Sequence, residues 1–244
     1  MASGPNPYQQ PELHAGSNIY AADAPVNERA TFLKKTYLHL LGAILVFVGL
    51  EAALMQMSGI EALAMKMTNG MNWLIVLGLF MGVSMLADRM ASSVTSLATQ
   101  YLGLGIFIVA QAIIFIPLIY MAAFHGGADV IPVAGLITLL LFGGMTAIVF
   151  ITGKDFSFMR TALMLMGFVA IGLIVCSVIF GFSLGMVFTV AMIAFMCGYI
   201  LYHTSNVMHH YHTTQHVVAA LALFAAVATL FWYVLQFVMS MQRD

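Results

Sequence analysis

Seven long apolar runs follow one another along most of the chain, separated by short polar breaks. Their approximate spans are 33–55, 72–88, 99–122, 131–153, 158–179, 184–206 and 216–240. At a rise of about 1.5 Å per residue, each run is long enough to cross a hydrocarbon core of about 30 Å. Backbone groups exposed to lipid need partners within their own segment, and no alternating barrel pattern appears. The sequence therefore predicts an all-α, polytopic membrane protein with seven transmembrane helices.

Composition supports lipid as the main solvent of this chain. Of 244 residues, 62% are hydrophobic and only 7% are charged, about a quarter to a third of the charge that soluble proteins usually carry. The net charge of −1 offers no basic patch for phosphates, so we expect no nucleic-acid partner. The weakest break runs from Phe180 to Ser183. If it were not a turn, there would be six spans and every later loop would change sides.

The first thirty residues hold four of the six prolines and show no apolar periodicity. We therefore expect residues 1–30 to be a disordered cytosolic tail and residues 31–244 to be the seven-helix transmembrane domain. Basic residues set the orientation, because they concentrate in cytosolic loops. With the N-terminus inside, the inner basic residues are Arg29, Lys34, Lys35, Arg89, Lys154 and Arg160, against Lys66 and Arg243 outside. We expect a cytosolic N-terminus and an external C-terminus.

Ionisable side chains inside spans are functional candidates, because a charge in hydrocarbon costs several kcal/mol. Glu51 lies near the outer edge of the first span, where it either reaches to the interface or forms part of an outer gate. His203 lies just within the inner end of the sixth span. An imidazole there either is simply hydrogen-bonded or changes charge near neutral pH.

A polar cluster is expected on the inner side, where Arg89, Lys154 and Asp155 share a face with His203. The alternative for Asp155 is a capping role at the start of the fifth span, after Gly153 and Lys154. Both interpretations remain open from the sequence.

Histidines crowd the connection between the sixth and seventh spans. His212 and His216 have the i, i+4 spacing that puts two imidazoles on one helical face, as in many metal sites. The signal is weak because no acidic third ligand is nearby, and a solvated loop is the alternative. The seventh span has no lysine for a retinal Schiff base, and the chain has no phosphate-binding glycine motif, nucleophile elbow or Cys-x-x-Cys pair. We expect no enzymatic activity and no bound cofactor.

Three runs carry a family resemblance. They are the TAIVFITGKDFS run at 146–157, the GYILYHTSN run at 198–206, and AALALF at 219–224 followed by LFWYVL at 230–235. Their order and spacing resemble those of the Bax inhibitor-1 family, also called TMBIM or LFG-like, and the likeness extends from Phe32 to the end. The resemblance implies a bundle in which six helices surround a central seventh.

The same resemblance implies a pH-sensitive calcium leak, located in the plasma membrane of bacteria or the endoplasmic reticulum of eukaryotes. The family's pH sensor is an aspartate pair in the sixth and seventh helices. Those positions fall at His203 and Ala226 here, so both carboxylates are replaced. We therefore expect a pH-sensitive leak for calcium or other cations, with His203 at the sensor position. No endoplasmic-reticulum retrieval signal appears, which favours a bacterial inner membrane.

Two other functions stay open at this point. One is a regulatory membrane protein that acts through membrane-protein partners without transport, with residues 1–29 as its docking segment. The other is a His-dependent membrane metal hydrolase, suggested only by His212 and His216.

Overall fold

The computed structural model describes residues 19–93 and 96–242. Helices account for most of the described chain. They are α1 (Val26–Leu54), α2 (Ile60–Thr68), α3 (Asn72–Ala91), α4 (Leu97–His125), α5 (Val130–Thr152), α6 (Arg160–Phe180), α7 (Gly185–His209) and α8 (His216–Met241), with a short 3-10 turn at Ser157–Met159.

Seven of these helices are long and apolar enough to cross a membrane within the described ranges, which confirms the predicted all-α polytopic fold. The predicted spans correspond in order to α1, α3, α4, α5, α6, α7 and α8. The doubtful break after Phe180 is a real turn. Gly181 ends α6 with a φ of 70° and Gly185 begins α7 with a φ of 68°. Residues other than glycine rarely adopt this left-handed conformation.

Helix α2 was not predicted. Its nine residues are too short to span a bilayer, so a search for long apolar runs passes over it. Its buried side chains Ile60, Ala64 and Met67 form a separate small core with Ile116 and Tyr120 of α4. Helix α2 is therefore a short cover on one end of the bundle.

Helix α8 lies at the centre, as the resemblance implied. In the most apolar stretch of α8, 72% of the residues are buried. The corresponding share is 61% for α4 and 22% or less for each of the other five spans. Aromatic rings join α8 to its parallel neighbours α1 and α4, where Phe224 contacts Phe47 and Phe107 edge to face. Buried alanines such as Ala219 and Ala226 keep the surface of α8 narrow enough for several helices to approach it.

Helices α3 and α4 cross in close backbone contact at one glycine. A Cβ added to Gly103 would lie 2.6 Å from the carbonyl oxygen of Ala87 and 2.7 Å from the backbone nitrogen of Ala91. The packing of these two helices therefore depends on the absence of a side chain at position 103.

Residues 19–30 are ordered, so the predicted disordered tail is wrong for this part. The amide of Ala21 donates to Tyr211 O at 2.8 Å, the amide of Thr213 donates to Ile19 O at 3.0 Å, and α1 already begins at Val26. These long-range backbone bonds leave no local signal in the sequence. Residues 1–18 lie outside the described residues. We call the end of the bundle that holds residues 19–25 and the α7–α8 turn the N-terminal end.

Candidate functional site

The His203 ring lies in α7, two turns from the helix end. It packs edge to face against two tyrosines of its own helix, with ring centroids 4.4 Å from Tyr199 and 5.1 Å from Tyr202. Both ring nitrogens are buried, and neither has a hydrogen-bond partner among the described residues. His203 is therefore a basic group held between apolar and aromatic surfaces, not a hydrogen-bonded structural histidine.

Three further hydroxyl groups are buried in the same half of the bundle. The hydroxyl of Tyr37 in α1 lies next to those of Thr146 in α5 and Thr204 in α7. None of the three makes a hydrogen bond of good geometry within the described part of the chain. Buried polar atoms are normally paired, so the three hydroxyls depend on one another for pairing where α1, α5 and α7 meet, and His203 directly precedes Thr204 in the chain.

Ala226 occupies the second position of the pair that the resemblance implied. It lies on α8 and is fully buried, and α7 and α8 pack against each other. Its methyl group offers no acid and no ligand. The aromatic neighbours of His203 are Tyr199 and Tyr202 of its own helix.

Asp155 anchors a hydrogen-bonded cluster at the N-terminal end of the bundle. Its Oδ1 accepts from the amide of Ser157 at 2.8 Å and from the hydroxyl of Ser205 at 3.2 Å. Its Oδ2 lies 2.9 Å from Nε2 of His210. The Ser205 hydroxyl in turn accepts from the amide of Phe156 at 2.8 Å. The carboxylate thereby joins the α5–α6 connection to the end of α7.

The electrostatics of Asp155 follow from these bonds. Partial burial by itself would raise its pKa, but the hydrogen bonds from Ser157 and His210 and the charge of His210 lower the pKa to about 2. The carboxylate is therefore ionised at any physiological pH.

The predicted cluster of Arg89, Lys154 and Asp155 is thus only partly brought together. Arg89 and Lys154 are exposed, and neither pairs with Asp155 within residues 19–93 and 96–242. Asp155 accepts from the residue two positions on, and α6 begins only at Arg160, so it fixes a turn and does not cap the helix. Its partners Ser205 and His210 were missed, because they follow it by 50 and 55 residues.

His212 and His216 do not share a helical face. Helix α8 begins at His216, so His212 lies in the preceding turn and stacks on Tyr20 with ring centroids 4.2 Å apart. His216 instead packs against His39 of α1 at 4.9 Å. No group of three or more His, Cys, Asp or Glu side chains in the described residues could hold a metal ion. The i, i+4 spacing therefore does not place the two imidazoles on one helical face, because His212 lies before the helix begins.

Glu51 lies near the end of α1, where the sequence placed it, and it is buried within the bundle. The side chain is 6% exposed, and neither carboxylate oxygen has a hydrogen-bond partner among the described residues. It faces the bundle one turn beyond Phe47, which contacts α4 and α8. Burial of Glu51 disfavours a side chain that reaches out into solvent, and its role in an outer gate stays a prediction.

Known proteins were compared with the chain as a whole. A family model described as inhibitor of apoptosis-promoting Bax1 matches residues 29–244. An uncharacterized protein of Pseudomonas aeruginosa is 28% identical over 219 residues, covering 89% of this chain and 93% of that protein. No solved structure is significantly similar. The family match covers the whole bundle from the first turn of α1, and the chain therefore belongs to the Bax inhibitor-1 family.

Proposed function

We propose that this protein is a passive, pH-sensitive cation leak in which His203 is the proton-responsive group. The observation that supports the proposal is the His203 side chain, whose two ring nitrogens are buried without partners among the described residues. It precedes Thr204 in α7, whose hydroxyl lies in a buried group with those of Tyr37 and Thr146. Groups of this kind inside a membrane mark ion or proton pathways. A leak performs no chemical step, so the proposal includes no enzymatic activity.

The sign of the pH response follows from the charge of the imidazole. Neutral histidine leaves the pathway uncharged, and protonation places a positive charge beside it, which repels cations. We therefore expect cation flux to fall as the medium is acidified. Calcium is the ion that family membership suggests, but it prefers carboxylate oxygens, and His203 and Ala226 offer none. We expect calcium to permeate without a high-affinity site.

The test is flux through purified protein in liposomes. Calcium and potassium flux are recorded from about pH 4 to about pH 8 for the native chain and for His203→Ala, because a buried imidazole is protonated only at lower pH than a free one. The native protein should lose flux on acidification, and His203→Ala should conduct equally throughout. His125→Ala is the matched control, since His125 is an exposed histidine at the end of α4 and should leave the profile unchanged. Native protein without flux at any pH, or an unchanged profile in His203→Ala, would contradict the proposal.

Restoring the family's carboxylates is the complementary test. His203→Asp combined with Ala226→Asp should raise calcium flux selectively, because two nearby carboxylates supply hard oxygen ligands and titrate as a coupled pair. Each single substitution serves as a control. A correctly folded double variant with no gain in calcium flux would show that the pathway does not pass these two positions.

We also propose a bacterial plasma membrane as the location, with the N-terminal end of the bundle in the cytosol. The similarity to a Pseudomonas aeruginosa protein supports the first point. The six basic residues that precede α2 or lie in the α3–α4 and α5–α6 regions support the second.

A further inference from the structure

A polar cavity of about 580 Å³ lies at the N-terminal end of the bundle, and His203 is not among the residues that line it. Three parts of the chain form its walls: the ordered segment before α1, the start of α6, and the end of α7 with the turn that follows. The lining residues include Tyr20, Asp23, Ser157, Arg160, Tyr202 and Tyr211. Such a polar lining is unusual in a chain with 62% hydrophobic residues.

The cavity brings together one full positive and one full negative charge on separate elements. Arg160 comes from the first turn of α6 and Asp23 from the segment before α1. Neither forms an ion pair with another residue in the described parts of the chain. Two opposite charges that line one space without neutralising each other match a ligand that itself carries both signs.

The remaining lining groups suit the two ends of such a ligand differently. A guanidinium binds phosphate through two parallel hydrogen bonds, and Ser157 adds a hydroxyl donor beside it. An ammonium group is favoured near a carboxylate and over tyrosine rings, which Asp23, Tyr20 and Tyr202 provide. Burial raises the pKa of Tyr211, so its hydroxyl stays protonated and neutral.

The position of the cavity indicates where the ligand comes from. Phe158 lies between the lining residues Ser157 and Arg160 in the chain, and this residue is 77% exposed. It lies at the start of the span that runs to Phe180. In the most apolar stretch of this span, only 11% of the residues are buried within the bundle. Exposed apolar surface on a membrane-spanning helix faces lipid, so the cavity adjoins the level at which phospholipid headgroups lie.

We propose that this cavity binds the headgroup of a membrane phospholipid that carries a phosphate diester and a primary ammonium group, as phosphoethanolamine does. Arg160 and Ser157 bind the phosphate, and Asp23 binds the ammonium. A purely anionic headgroup such as phosphatidylglycerol leaves Asp23 unpaired and facing the phosphate. A choline headgroup has no N–H to donate to the Asp23 carboxylate. The proposal of a lipid site does not rest on the proposed cation leak.

The experiment measures lipid retention by native mass spectrometry on the full-length protein purified in detergent. Phosphatidylethanolamine, phosphatidylcholine and phosphatidylglycerol with identical acyl chains are added separately. The native protein should retain phosphatidylethanolamine best. Arg160→Gln should weaken retention about tenfold or more, as expected for loss of a charge-assisted pair. Asp23→Asn should remove the preference over phosphatidylglycerol. Lys154→Gln is the control, because Lys154 is a nearby exposed base that does not line the cavity.

Competition with soluble glycerophosphoethanolamine distinguishes a lipid from a free metabolite. We expect it to displace the lipid only weakly, since it lacks the acyl chains that remain beside α6. Displacement by the soluble compound at concentrations equal to the lipid would overturn the assignment to a lipid. Equal retention of all three lipids by the native protein, or unchanged retention in both correctly folded variants, would overturn the site itself.

Discussion

At the scale of single residues, Asp155 has the best-defined chemistry in the molecule. Its pKa of about 2 lies below the ordinary value of 3.8, so the folded protein favours the ionised form more than the unfolded chain does. Its contribution to stability is therefore fully present above about pH 4 and is lost as the pH falls through about 2. The side chain is 42% exposed, so solvent screening limits the contribution to about 1 kcal/mol or less.

Asp155→Asn should lower the thermal unfolding temperature at neutral pH by about 2–4 °C. The amide can keep one acceptor but loses the charge that His210 and the Ser157 amide favour. The difference from the native protein should shrink as the pH approaches about 2, where the native carboxyl is also half protonated. Lys154→Gln, at the neighbouring exposed position, should change neither the unfolding temperature nor its dependence on pH. A difference that stays constant across this range would assign the effect of Asp155→Asn to shape and not to charge.

Individual residues were the least predictable level. The sequence pointed to His203, Asp155 and Glu51 because ionisable groups in an apolar chain stand out. It did not predict that Nε2 of His39 is hydrogen-bonded to the Tyr101 hydroxyl at 2.8 Å, or that the His39 ring packs against His216. These residues come from three helices that are far apart in the chain. No local periodicity encodes which faces of separate helices meet.

At the scale of elements, the crossing of α3 and α4 gives the sharpest test. Gly103→Ala would place a methyl group against the backbone of α3 at Ala87 and Ala91, so the helices must separate, at a cost of about 1–3 kcal/mol. Gly105→Ala in the same helix has nothing within 4 Å of the added carbon and should be neutral or slightly stabilising. Thermal unfolding in detergent distinguishes them. Equal unfolding temperatures for the two variants would contradict the close approach.

Helices could be predicted from the sequence where length and hydropathy alone determine that a segment crosses the membrane. All seven spans were found in order, because lipid requires a long apolar helix for each crossing. Helix α2 and the segment at residues 19–25 were not found, because each is short and held by contacts with distant parts of the chain. The start of α1 at Val26, and not near residue 33, has the same origin. The first turns of α1 are helical but polar, so a search for apolar runs does not include them.

At the scale of the whole molecule, the proposed orientation can be tested by labelling. In a background with Cys176 and Cys197 replaced by Ser, Lys66→Cys in α2 should react with a membrane-impermeant maleimide in intact cells. Lys154→Cys at the other end should react only after permeabilisation. Both side chains are exposed in the bundle, so permeabilised cells provide the control for each. The reverse pattern would place the N-terminal end of the bundle outside.

The central position of α8 has a consequence for biosynthesis. This helix is translated after all the other described spans, yet it supplies the core on which α1, α4, α5 and α7 pack. The earlier spans must therefore enter the bilayer before their packing partner exists, each by its own hydropathy. Until α8 is inserted, the nascent bundle is a loose set of helices with inward faces that only lipid can fill. Assembly is completed by one late insertion event, at which the membrane's quality-control machinery would distinguish a finished molecule from an arrested one.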